Sequence, residues 1–75
     1  MTSLDAAAPD SDVRVERIEG NVRLATRLAS VGIVPGSTIR VQRNDRKRPV
    51  LVFERDTVLA INRAECASIL VGEAH

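Results

Sequence analysis

Apolar residues recur along this chain with two periods, and the change from one to the other falls at residues 31–36. Leu24, Leu28 and Val31 stand at i, i+4 and i+7, which is one face of a helix over residues 22–31. Gly32 supplies the left-handed residue that closes such a helix. Ile33 then lies over Leu28, the contact that usually accompanies a cap of this kind. In the next four residues, Val34-Pro35-Gly36-Ser37, proline presets φ for the second position of a type II turn and glycine provides the positive φ of the third. Beyond that turn the period becomes two.

Residues 37–43 place Ile39 and Val41 on one face and Thr38, Arg40 and Gln42 on the other, as in a half-buried strand. Residues 49–54 and 57–62 read as two strands joined by a tight Arg55-Asp56 turn, and residues 68–71 as a short last strand. Ahead of the helix, Val13 and Val15 begin a strand with Arg14, Glu16 and Arg17 facing water, until Glu19-Gly20-Asn21 interrupts it. Asn21 is suited to cap the helix. Asn62, followed three residues later by Glu65, is suited to cap one further helical turn. Residues 1–11 are small, polar and proline-containing, and are expected to be a flexible tail. Residues 12–75 are expected to form a single domain of about five strands with one short α-helix after the first strand, in a mainly β fold. This arrangement suits a small barrel.

Composition narrows the function more than it defines it. The chain has 75 residues, and a core of that size rarely supplies more than roughly 3–5 kcal/mol, so no separate substrate domain is expected. Hydrophobic residues make up 44% but aromatics only 1%, with Phe53 the one ring. The core must therefore be built from Val, Ile and Leu, and Phe53 is expected inside it. Eleven Lys and Arg against ten Asp and Glu leave a net charge of +1, too little for a global field that steers the protein to nucleic acid or anionic lipid. The N-terminus has no basic leader with an apolar run, and an apolar run such as residues 50–53 is far short of a bilayer span of about 20 residues. A cytoplasmic protein without membrane insertion is the expectation, and one cysteine agrees with a reducing compartment.

No catalytic constellation is visible. His75 is the only histidine, so no nucleophile has a positioned base, and there is no glycine-rich phosphate loop. Carboxylates such as Glu54, Asp56 and Glu65 read as solvated surface. Cys66 and His75 are the only soft metal ligands, too few for a structural site, and Cys66 reads as a small buried residue. No enzyme, cofactor or metal site is expected. The strongest charge feature is Arg43, Arg46, Lys47 and Arg48. Read blandly, it is a solvated hairpin loop that also discourages edge-to-edge association. Read functionally, it meets an acidic partner surface. The missing aromatics argue against single-stranded nucleic acid, which small barrels hold by stacking bases on rings.

The segment Val31-Gly32-Ile33-Val34-Pro35-Gly36 resembles the signature of the FeoA family, small bacterial ferrous iron transport proteins with an SH3-like β-barrel. A second stretch, residues 59–71, is similar to that family's closing strand, turn and strand, with Arg63 after the strand and a final Ile69-Leu70-Val71. The likeness extends from about Val13 to Val71, and its structural positions are Leu28, Gly32, Ile33, Pro35 and Gly36. It departs from the family in the loop after Arg43, where glycine is replaced by charge. The resemblance implies an accessory role in ferrous iron uptake and a partner, a FeoB-type membrane transporter whose cytosolic part includes a GTP-binding domain. Its vocabulary of iron homeostasis includes transition-metal binding, for which this chain shows no ligand set. A similar barrel closes iron-dependent repressors, but the Met1 start and the lack of chain for a DNA-reading helix pair favour a free-standing form. The partner-binding residues expected are Arg46, Lys47 and Arg48, with Arg23 and Arg27 on the helix as the alternative. The competing reading is a small nucleic-acid-binding barrel that uses the basic loop. The oligomeric state is left open.

Overall fold

Among the described residues the chain forms six strands, of which residues 11–18 and 38–43 carry the alternation of aliphatic and polar positions. The computed structural model describes residues 1–74. In chain order the elements are β1 (Thr2–Ser3), a 3₁₀ turn (Leu4–Ala6), β2 (Ser11–Ile18), α1 (Val22–Ala29), β3 (Thr38–Arg43), β4 (Val50–Glu54), β5 (Thr57–Ile61), α2 (Arg63–Cys66) and β6 (Ile69–Glu73). They form one antiparallel sheet in the order β1-β6-β2-β3-β4-β5. The register shifts between Val15 and Arg17 in β2 and between Val41 and Arg43 in β3. Such bulges bend and twist a strand, and here they curl the sheet around its core, giving extents of 26 × 25 × 24 Å. The fold is an SH3-like barrel that is not strictly closed, because β1 and β5 remain as edges.

Among the described residues the core is wholly aliphatic apart from Cys66, and none of the buried residues is polar or charged. Val13 and Val15 of β2, Ile39 and Val41 of β3, Val50 and Val52 of β4 and Ile69 and Val71 of β6 point inward, beneath Leu24 and Leu28 of α1. Both expected helix caps are present. The Asn21 Oδ1 accepts from the Leu24 N–H at 2.9 Å, and the Asn62 Oδ1 from the Glu65 N–H at 2.8 Å.

The helix end has the anticipated geometry in detail. Gly32 has φ +90°, its N–H donates to the Ala29 carbonyl, and the Ile33 N–H donates back to the Leu28 carbonyl at 2.9 Å. Carbonyls that would otherwise be orphaned at the helix end are thereby satisfied, while Ile33 and Leu28 enter the same buried cluster. Four residues later Gly36 has φ +98° and the Ser37 N–H closes the turn onto the Val34 carbonyl at 2.9 Å. The Ser37 hydroxyl ties the two switches together, accepting from the Val34 N–H and donating to the Gly32 carbonyl. A side chain at residue 32 would find room, since a Cβ there comes no closer than 3.4 Å to the Glu54 carboxylate. The obstacle is the backbone. Gly32→Val is expected to cost about 2 kcal/mol through left-handed strain, and thermal melts should fall by roughly 10 °C. An unchanged melting temperature would remove the cap from the account.

Two expectations differ from the structure. The first concerns residues 1–11. Instead of a flexible tail, Thr2 and Ser3 pair with Val71 and Leu70, Leu4 is completely buried, and Ala7 joins the core. This segment lies in the gap of the barrel, where Asn44 Nδ2 donates to the carbonyls of Asp5 and Ala7 and Arg63 Nη2 donates to the Asp5 carbonyl. Burial of one leucine and satisfaction of the backbone offset the ordering entropy that composition alone made prohibitive. The second concerns Phe53, which is half-buried on the outer face of β4 and not in the core, because the inward positions of that strand belong to Val50 and Val52.

Candidate functional site

Among the described residues no group of three or more His, Cys, Asp or Glu could hold a metal ion, and His75 lies outside the described residues. Cys66 is buried, and its Sγ donates to the Ile61 carbonyl at 3.6 Å. Burial, reinforced by the Asp5 carboxylate, pushes its thiol up to about 11 from 9.0, with Arg63 opposing. A neutral, enclosed thiol is neither a nucleophile nor a ready ligand. The unfolded chain loses this proton first, so the contribution of Cys66 is complete below about pH 9 and is lost as pH rises from 9 towards 11. Chemical denaturation across that range should show a loss of stability that Cys66→Ala flattens. A slope identical in the variant would mean that the thiol titrates normally.

The basic loop between β3 and β4 has a fixed backbone and free side chains. Arg63 Nη1 donates to the carbonyls of Asp45 and Arg48 at 2.7 and 3.1 Å, and the Arg48 N–H reaches back to the Asp45 carbonyl. Arg43 is paired with Asp45 at 3.8 Å, whereas Arg46, Lys47 and Arg48 are exposed and form no ion pair among the described residues. Three cations therefore project from a loop that is held still, the arrangement suited to an acidic partner.

On the helix the expected pair divides. Arg27 is committed to Glu65 at 2.6 Å, and that hydrogen bond and charge raise its pKa further above its ordinary value. Arg23 is exposed and has no ion-pair partner among the described residues. The structure nevertheless connects helix and loop through α2, since Glu65 holds Arg27 and Arg63, two residues earlier, holds the loop carbonyls. Neither role of Arg63 nor of Glu65 was visible in local periodicity. A shallow groove of about 420 Å³ runs between the outer face of α1 and the following turn, lined by Ile18, Val22, Ala25, Thr26, Val34 and Pro35. Among the described residues no helix is long and apolar enough to cross a membrane.

Comparison with known proteins places these features in context. A family model described as the FeoA domain matches residues 2–73. Among solved structures, an iron uptake regulatory protein, FeoA, superposes with a TM-score of 0.83 at 24% identity, covering 93% of each chain. The FeoA of Stenotrophomonas maltophilia, crystallised with zinc and described as a prokaryotic SH3 domain protein, gives a TM-score of 0.79 at 23% identity over 96% of this chain and 91% of that one. The IdeR protein of T. acidophilum contains the same fold within a longer chain, with a TM-score of 0.82 at 24% identity over 97% of this chain and 34% of that one. No curated protein matches in sequence.

Proposed function

Since the chain belongs to the FeoA family, with residues 2–73 matched, we propose that it is an accessory protein of ferrous iron transport that works by contact and not by catalysis. Its partner on this reading is the cytosolic part of a FeoB-type membrane transporter that includes a GTP-binding domain, and it acts from the cytoplasm. The observation that carries the mode of action is the rigid basic loop. Arg46, Lys47 and Arg48 have no ion-pair partner among the described residues and are presented on a backbone clamped by Arg63, while the one cysteine is buried and neutral. Exposed charges of this kind accelerate encounter with an acidic surface more than they deepen affinity. The groove along α1 at Ala25 and Thr26 offers a second contact on the same reading.

Ferrous iron uptake in cells lacking the protein provides the test. Wild type, Cys66→Ser and a chain ending before His75 should restore uptake equally, because on this reading the protein acts through Arg46, Lys47 and Arg48 and not through a metal ligand. Loss of uptake in a folded Cys66→Ser variant would instead make the protein a metal carrier.

A further inference from the structure

Strand β5 is an edge of the sheet, and it lacks the devices that normally guard one. Thr57–Ile61 contains no charge and no proline, and its pairing with β4 runs without a bulge. The opposite edge, β1, is only two residues long. Arg55-Asp56 form a two-residue turn, with Arg55 at φ +57°, so Glu54 and Thr57 are a hydrogen-bonded pair. Pairs alternate from there. Phe53–Val58 and Leu51–Ala60 are the intervening pairs, and the N–H and C=O groups of Val58 and Ala60 point away from β4. They have no partner among the described residues. Two donors and two acceptors are thus offered at strand spacing.

The side chains around that edge define what would pair with it. Val58 is 54% exposed and Ala60 is exposed, and both lie beside the half-buried Phe53 and Leu51, forming an apolar strip on the outer face. On its far side stand Arg40, opposite Phe53, and Arg43, opposite Leu51. The basic loop leads into Val50, which pairs with Ile61, so Arg46, Lys47 and Arg48 sit at the Ile61 end of the edge. We propose that β5 is a strand-addition site that takes an extended segment of a partner protein, antiparallel to β5, with acidic residues at the segment's N-terminal end followed by alternating apolar residues. Backbone bonds to Val58 and Ala60 supply the pairing, the apolar strip selects side chains, and the loop reads the charge. A second copy of this chain fits less well, because it brings another basic loop and no acidic run. The inference deepens the contact reading above, and its test uses synthetic peptides, so it can fail without touching that reading.

The probes are a peptide of three glutamates followed by alternating valine and threonine, and its counterpart with lysine replacing glutamate. Amide exchange and shifts are followed by NMR on the full chain. The glutamate peptide is expected to slow exchange at Val58 and Ala60 at least about tenfold, and the lysine peptide to need at least about tenfold more material. Ala60→Pro removes one outward N–H at a position where an edge tolerates proline, and should weaken binding about tenfold. Ala60→Glu, which keeps the N–H and opposes the acidic peptide, should do the same with the melting transition retained. Three results would overturn the proposal. These are shifts confined to other surfaces, equal binding of both peptides, and protection of Val58 and Ala60 that rises with protein concentration in the absence of peptide.

Discussion

Leu28→Asp is expected to abolish folding. Leu28 is completely buried, and its backbone carbonyl is the acceptor that ties the helix end to Ile33. An unpaired carboxylate in that position costs several kcal/mol, against a total of about 3–5 kcal/mol available to a domain of this size. No buried polar partner is at hand, because the core contains none. Far-UV circular dichroism and thermal melts would check this, and a cooperative transition near that of wild type would mean that another face of α1 covers the barrel.

Leu4→Ala should have the second-largest effect. Leu4 is as fully buried as Leu28, and it holds the N-terminal turn between β6 and α2, where Asn44 and Arg63 bond its neighbours' carbonyls. Truncating a buried leucine costs about 2–5 kcal/mol, so the melting temperature should fall by roughly 10 °C or more. Were residues 1–11 a loose tail, the substitution would leave the transition where it was.

That contrast shows which parts of the molecule local pattern reveals. The end of α1 and the turn after it were legible because Gly32, Pro35 and Gly36 act within a few residues of themselves, and their φ values follow from residue type. Strands β2 and β3 were legible because Val13 and Val15, and Ile39 and Val41, alternate with polar residues up to the bulges. Residues 1–11 were not, since what orders them comes from 37 to 58 positions away, in Asn44 and Arg63. Phe53 was misplaced for a different reason. Val50-Leu51-Val52-Phe53 is apolar throughout, so no alternation marks the inward face, and only the pairing with β3 and β5 decides it. At the candidate site, the charged loop could be read as charge. Its rigidity could not, because the clamp is a single arginine 15 to 18 residues downstream. The Arg27–Glu65 pair, 38 residues apart, was likewise beyond any local rule, and it removes one of the two helix cations from the free surface.

The contact reading is tested most directly by reversing Arg46, Lys47 and Arg48 to Glu together and measuring association with the cytosolic part of a FeoB-type transporter. Surface plasmon resonance at two ionic strengths, with melts to confirm folding, separates charge steering from loss of structure. Folding should survive, because all three side chains are exposed and Arg63 holds the loop by its carbonyls. The account predicts an association rate at least about tenfold slower at low salt, a dissociation rate little changed, and a difference that shrinks at high salt where exposed charges are screened. Unchanged kinetics in the folded triple variant would contradict it and move the contact to the helix face around Arg23.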